Sequence, residues 1–180
     1  MIVHNTRNGA DPLGVPPDLF DRYFGEIHRY IARRLTEDVA DDLAADVFVA
    51  ALRGGYDPAA GQVRPWLYGI ATNLVARHRR TESRRWKALA RAAERDWDDR
   101  EDAVLDRIDA ARFTGPLAGA LAGLKRRDRD VVLLVALAGL SHAEVAAALD
   151  IPYGTVASRL NRARKQLREA LKEEFGGVDG

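Results

Sequence analysis

Residues 141–171 read SHAEVAAALDIPYGTVASRLNRARKQLREAL, and the fold follows from this stretch. Ser141-His142-Ala143-Glu144 has the form of a capping box: the serine oxygen accepts from the third amide of a helix while the glutamate reaches back to the cap amide. The helix opened in this way buries Val145, Ala146 and Leu149. Asp150 falls where the chain must turn through the left-handed region, which Asp tolerates better than most residues that carry a side chain. Pro152 suits the start of a second helix, where its missing amide hydrogen would have had no partner. In that helix Val156, Leu160, Ala163, Leu167 and Leu171 form one inward stripe, and Gly154, Thr155, Ser158, Asn161, Arg162 and Lys165 lie on the opposite face. Small and hydrogen-bonding residues near the helix start, followed by cations, suit a helix whose first turns enter a DNA major groove. Gly154 lets the backbone come close to a phosphate. Arg162 has the reach for a guanine edge or for a phosphate, and both remain open. An ordinary helical hairpin with a basic face has no need for cap, turn and faces to agree. The segment is therefore expected to be a helix-turn-helix.

The rest of the chain also reads as helix. Leu19, Phe20, Tyr23, Phe24, Ile27, Tyr30, Ile31 and Leu35 recur at intervals of three and four after Pro17. Leu43, Val47, Phe48, Ala51 and Leu52 repeat that pattern, with Gly54-Gly55 as a natural stop. Residues 56–65 read as a loop by their Asp-Pro and Gly content. A third helix is expected from Trp66 to about Arg85 with Leu67, Ile70, Ala71 and Leu74 inward, while Tyr56, Trp66 and Tyr68 are assigned to packing. Residues 88–109 lack a wide apolar stripe and are treated as a linker. After it Leu117, Leu121 and Leu124 lead into a buried helix over Val131–Ala138, ended by Gly139. With no alternating β pattern, the expected class is all-α: two small helical domains joined by an acidic linker. The expected boundaries are a lead-in at 1–16, a first domain at 17–87, the linker at 88–112, a second domain at 113–175 and a tail at 176–180.

Charge supports a polyanion-binding protein. The formal net charge of +1 averages over blocks of opposite sign. Residues 36–57 are acidic, 64–91 are basic, 94–109 are acidic again and 153–172 are basic. Two basic segments separated by an acidic one suggest two surfaces for nucleic acid. The chain has no cysteine, so disulfides and thiolate zinc sites are excluded. His4, His28, His78 and His142 are scattered, and no phosphate loop or dinucleotide fingerprint is present. Neither a catalytic site nor a metal or other cofactor is expected. The acidic run from Asp96 to Glu101 does not fit a calcium loop, because Arg100 and Glu101 stand where an oxygen ligand and a glycine belong. No apolar run approaches the roughly 20 residues needed to cross a bilayer. The N-terminus lacks a basic-then-apolar signal pattern, so a cytoplasmic protein is expected.

Three stretches, in order, resemble the extracytoplasmic-function type of bacterial RNA polymerase σ factor, and the likeness runs from Asp18 to Leu171. Residues 40–48 (ADDLAADVF) resemble the family's polymerase-binding helix. Residues 65–73 (PWLYGIATN), followed by Arg79-Arg80, resemble its promoter −10 helix, and 154–164 (GTVASRLNRAR) its −35 recognition helix. The resemblance implies a σ2-like bundle and a σ4-like helix-turn-helix. It implies core RNA polymerase as partner, through the β′ clamp coiled coil and the β flap, together with promoter DNA and an anti-σ protein. Asp42 and Asp46, four apart on one helix, share a face suited to basic partner groups, and with Phe48 they are the polymerase-binding candidates. The −10 candidates are Arg64, Asn73, Arg77, Arg79 and Arg80, with Asn73 offering both donor and acceptor to an extruded base. The −35 candidates are Gly154, Thr155, Ser158, Arg159, Asn161, Arg162 and Lys165. Asp96, Asp98, Asp99 and Glu101 would let the linker occupy a basic nucleic-acid channel. The sequence departs from the pattern at Ala45, where glutamine is usual, at Arg77, where aspartate is common, and at Ala157, where a cation is usual. A stand-alone helix-turn-helix regulator is the competing expectation.

Overall fold

A computed structural model describes residues 16, 18–57, 59, 61–92 and 116–175. Seven helices are present among them: α1 (Leu19–Ala32), α2 (Glu37–Gly54), α3 (Val63–Ala92), α4 (Pro116–Ala122), α5 (Arg126–Ala136), α6 (His142–Leu149) and α7 (Tyr153–Phe175). The expected tail, the lead-in before residue 16 and the acidic linker from residue 93 on, with Asp96, Asp98, Asp99 and Glu101, lie outside the described residues.

Local chemistry accounts for most helix ends. Acidic Glu37 and Asp38 occupy the first turn of α2, where the helix dipole favours negative charge. The helix stops at Gly54, and Gly55 follows at φ 66°, a left-handed value that glycine adopts without a side-chain penalty. α3 is longer than the sequence pattern suggests. It begins two residues before Pro65, whose missing amide hydrogen is harmless in a first turn. It runs to Ala92, through a stretch expected to be linker from residue 88, because Arg, Lys, Leu and Ala propagate a helix without an apolar stripe.

The helix-turn-helix forms as its residues dictate. Ser141 Oγ accepts from the Glu144 amide at 3.3 Å, and Glu144 Oε2 accepts from the Ser141 amide at 2.8 Å. Asp150 closes α6 at φ 50°, ψ 54°. Val156, Leu160 and Ala163 of α7 are buried, whereas Leu167 and Leu171 are half-buried, so the stripe weakens toward the end of the helix.

The two helical halves share an apolar cluster. One apolar cluster holds Ile27, Ile31, Val47, Leu67, Ala71 and Val75 of α1–α3 together with Val131, Leu134, Val145 and Val156 of α5–α7. A smaller cluster of Leu121, Leu124 and Ala163 ties α4 to α7. The halves meet where α6 crosses α3. A Cβ on Gly69 would overlap the Ala148 carbonyl oxygen and lie 3.2 Å from its carbon, so only glycine permits this approach. Beside it Arg34 Nη2 meets Asp130 Oδ1 at 2.6 Å, with both side chains almost wholly removed from solvent. Arg34 Nη1 also donates to the Tyr30 hydroxyl at 2.6 Å, and that hydroxyl lies 3.0 Å from Thr72 Oγ1. Burial, with the charge of Asp130 adding to it, raises the Tyr30 pKa against the opposing pull of Arg34, so Tyr30 stays a neutral link between α1, α3 and the ion pair.

Replacing Ser141 by Ala should lower unfolding free energy by about 1 kcal/mol, measured by chemical denaturation. Glu144 titrates below its ordinary value of 4.5, chiefly through its hydrogen bonds with Ser141. A carboxylate with a depressed folded-state pKa contributes stability that is present above its ordinary value and is lost as pH falls through the lowered one. The stability difference between wild type and Glu144→Gln should therefore be present at neutral pH and close in acid.

Candidate nucleic-acid and polymerase interfaces

α7 presents a continuous polar face to solvent. Gly154, Ser158, Asn161, Arg162 and Lys165 are exposed on it, and Thr155 and Arg159 are half-buried. Ser158 Oγ donates to the Thr155 carbonyl at 3.0 Å, which turns its hydroxyl inward along the helix. Arg162 is held as a fork: Nη2 donates to Asp128 Oδ1 at 3.0 Å and Nε to Oδ2 at 3.4 Å. The hydrogen bonds and charge of Asp128 raise the Arg162 pKa. Asp128 itself is buried, so an α5 carboxylate fixes the plane of an exposed α7 guanidinium and leaves Nη1 for a DNA acceptor. Ala157 sits exposed on the same helix, and its methyl group offers a surface only to an apolar base edge.

The α3 candidates divide into two groups. Asn73, Arg77 and Arg80 are exposed along the helix. Arg64 and Arg79 are half-buried and engaged within the chain. Arg64 Nε lies 3.1 Å from both Glu26 carboxylate oxygens, its Nη2 donates to the Ala138 carbonyl at 2.6 Å, and its guanidinium covers the Tyr68 ring. Burial works against its charge, but the Glu26 hydrogen bond and carboxylate charge outweigh that and raise its pKa. Tyr68, buried beneath, is pushed up to about 12 by desolvation and by the nearby Glu26 charge. Arg79 Nη2 donates to the Arg34 carbonyl at 3.1 Å. Trp66 packs on Tyr56 with ring centroids 5.2 Å apart, and Tyr68 meets Tyr30 edge-on at 5.1 Å. All four rings serve packing.

On α2, Asp42 and Asp46 are exposed on one face, and neither pairs with another described residue. Neighbouring Asp41 instead holds the His28 ring, Oδ1 to Nε2 at 2.7 Å. Phe48 is not on this surface. It is buried, with its ring 5.1 Å from Phe20 and 5.8 Å from Phe24, so it supports α2 from below. The apolar residues exposed beside the acids are Val49 and Leu52.

Asp128, Asp130 and Arg34 are the residues that sequence reasoning missed. They lie within or opposite the charged run Arg126-Arg127-Asp128-Arg129-Asp130. Its one signal is position: Asp128 and Val131 are three apart and share the inward face of α5. Among the described residues, no group of three or more His, Cys, Asp or Glu is placed to hold a metal ion. Nor is any described helix long and apolar enough to cross a membrane.

The described residues form an all-helical structure with exposed polar faces on α7 and α3, an arrangement compatible with binding DNA. Comparison with known proteins narrows this. Residues 19–85 match sigma-70 region 2, and residues 115–167 match sigma-70 region 4. The chain is 34% identical over 161 residues to the ECF RNA polymerase sigma factor SigL of Mycobacterium tuberculosis, covering 86% of this chain and 88% of that protein. It is 34% identical over 135 residues to the ECF sigma factor SigE of Mycolicibacterium smegmatis, spanning 73% of this chain but only 51% of that longer protein. Two solved structures share the fold. One is CnrH in complex with the cytosolic domain of CnrY, at 26% identity and TM-score 0.57, covering 87% of this chain and 86% of that one. The other is RpoE of Bartonella quintana in complex with the anti-sigma factor NepR, at 21% identity and TM-score 0.60, covering 89% and 96%. This chain belongs to the ECF RNA polymerase sigma factors, within the sigma-70 family.

Two α7 substitutions should behave differently toward −35 duplexes. Arg162→Ala should cost about 1–3 kcal/mol of binding and relax the preference at one base pair if the guanidinium reads a base. It should also lower unfolding stability, because Asp128 is left buried without its partner. Lys165→Ala should weaken all sequences alike and reduce the slope of log affinity against log salt by about 1. Salt-titrated binding to a set of single-base variants distinguishes the two.

Proposed function

We propose that this chain is an alternative sigma factor that binds core RNA polymerase, recognises −35 and −10 promoter elements and assists promoter opening. The observation that carries the reading is the pairing, in one chain, of a capped helix-turn-helix with an outward α7 polar face and an α3 helix whose Asn73, Arg77 and Arg80 face solvent. α7 reads the duplex through Gly154, Thr155, Ser158, Arg159, Asn161, Arg162 and Lys165. Asn73 captures an extruded −10 base with both its donor and its acceptor, which offsets part of the unstacking cost of melting. Arg77 and Arg80 contact phosphates, which adds affinity without sequence preference.

Asp42 and Asp46 form the polymerase-facing surface, with basic side chains of the β′ clamp coiled coil as the complement and the β flap as a second contact. The protein acts in the cytoplasm as a DNA-binding regulator without catalysis of its own. An anti-σ protein is a further partner, supported by the two neighbouring structures, both of them σ factor complexes and one described as holding an anti-sigma factor. The α1–α3 unit is the σ2-like domain and α4–α7 the σ4-like domain.

Run-off transcription with purified core enzyme and a promoter library tests the reading. The chain should direct defined start sites with core enzyme and bind duplex DNA weakly without it. Tight operator binding alone, with no start site in any mixture, would establish a stand-alone regulator instead. Asp46→Arg should abolish association with core enzyme while leaving the helical signal and unfolding midpoint unchanged. Asn73→Ala should slow promoter opening, followed with a fluorescent base in the −10 region, more than it weakens −35 docking; equal effects on both would remove Asn73 from that role.

A further inference from the structure

Arg29 and Arg33 stand one helical turn apart at the end of α1, and neither belongs to the DNA or polymerase surfaces of the proposed function. Both are exposed, and neither side chain pairs with another described residue. They are more than scattered surface charges, because both line a cleft together with Glu26 of α1, Arg64 and Tyr68 of α3, and Ala138 of the turn after α5. The cleft holds about 140 Å³. Sites for drug-sized ligands run to about 300–1,000 Å³, so this one admits a small ion or one end of a larger molecule.

Its chemistry is that of an anion site. Three guanidiniums against one carboxylate give the lining a net charge of +2, three positive less one negative. Glu26 is already committed to Arg64, whose Nε lies 3.1 Å from both of its oxygens, so Arg29 and Arg33 are left without a counter-ion. Arg64 is fixed as part of the wall by that pair and by the Ala138 carbonyl, 2.6 Å from Nη2. Tyr68 adds a hydroxyl that stays protonated, since desolvation and the Glu26 charge push its pKa up to about 12. Its ring is buried beneath the Arg64 guanidinium, so it offers no face on which a nucleobase could stack. What the cleft can recognise is negative charge on oxygen.

We propose that this cleft binds a phosphoryl dianion, as inorganic phosphate or as the terminal phosphate of a small metabolite, between Arg29, Arg33 and Arg64. Residues four apart on a helix hold their Cβ atoms about 5–6 Å apart, so Arg29 and Arg33 reach neighbouring oxygens of one phosphate while Arg64 meets it from α3. A terminal phosphate carries about −1.5 to −2 charges near pH 7 and has an acceptor oxygen for each guanidinium. That charge offsets the excess of the lining and relieves the crowding of three cations in one small space. The bound group joins α1, α3 and the turn after α5, and it therefore stabilises the fold by mass action. The inference does not rest on the sigma-factor reading, because binding is measured on the protein alone, without polymerase or DNA.

Isothermal titration calorimetry of the full chain with inorganic phosphate, at an ionic strength held constant with sodium chloride, tests the site. It should show saturable binding with a dissociation constant on the order of 1 mM. The unfolding midpoint should rise with phosphate and not with matched chloride. Arg29→Ala and Arg33→Ala should each weaken phosphate about tenfold, and the double substitution should abolish the heat. Arg33→Lys, which keeps the charge and loses the planar fork, should fall between wild type and Arg33→Ala. Both arginines are exposed, so each variant in chloride should unfold at the wild-type midpoint, which separates loss of binding from loss of fold. Lys165→Ala, on the polar face of α7, should leave phosphate affinity unchanged. Glycerol 3-phosphate distinguishes the two sources: affinity equal to that of inorganic phosphate identifies the end of a metabolite, and binding of inorganic phosphate alone identifies the free ion.

No saturable heat with either compound overturns the proposal. So does phosphate binding that Arg29→Ala and Arg33→Ala leave intact, or that Lys165→Ala removes. Dimethyl phosphate, a monoanionic diester like the nucleic-acid backbone, should bind about tenfold more weakly than inorganic phosphate because it brings less charge to the three cations. Equal affinity for the diester overturns the dianion site and makes the cleft a contact for a nucleic-acid backbone instead.

Discussion

Two helices can touch backbone to backbone only where neither places a side chain between them, and in this protein that condition is met where Gly69 of α3 lies under Ala148 of α6. Much of the architecture depends on that approach. It lets the α1–α3 bundle and the helix-turn-helix share one apolar cluster, from Ile27 and Leu67 on one side to Val145 and Val156 on the other. It also brings α5 close enough for Asp130 to enter the bundle and meet Arg34. A buried ion pair adds little net stability, because desolvation of both charges cancels most of their attraction. It is selective, however. A docking error of one helical turn would leave two unpaired charges in an apolar environment, at a cost of several kcal/mol.

The same seam explains why some cations face solvent and others do not. Arg64 and Arg79 lie close to the junction, where carbonyl and carboxylate oxygens compete for them, and both are taken up by Glu26, Ala138 or Arg34. Arg77 and Arg80 share the same basic run but project away from it. On α7, Arg162 is neither sequestered nor loose. Asp128 binds two of its donors and leaves the remainder exposed, which lowers the conformational entropy the side chain would lose on meeting DNA.

Much of this was legible without coordinates. The helix-turn-helix could be read to the residue because its determinants are local: a serine and a glutamate three apart, a left-handed Asp150 and a proline at a helix start. Most of the inward stripes of α1, α2 and α3 could be read for the same reason, since periodicity places them, although Phe20 and Leu52 of those repeats are exposed. What the sequence does not show is where side chains find distant partners. Phe48 belongs to the apolar repeat of α2, and the rings that pack on it, Phe20 and Phe24, come from α1. The partners of Arg64 lie 38 and 74 residues away. Asp128, Arg129 and Asp130, in the charged run 126–130, are all buried.

The sequence by itself determined the helices, the cap of the helix-turn-helix, the exposed polar face of α7 and membership in a recognisable family, because each rests on interactions within a few residues or on residue order. Only the tertiary structure decided which charges are paired and that the two halves pack as one body. Burial and ion pairing depend on what arrives from the other end of the chain. The partners here, Arg34 with Asp130 and Gly69 with Ala148, are 96 and 79 residues apart, a separation across which no periodicity or motif carries information.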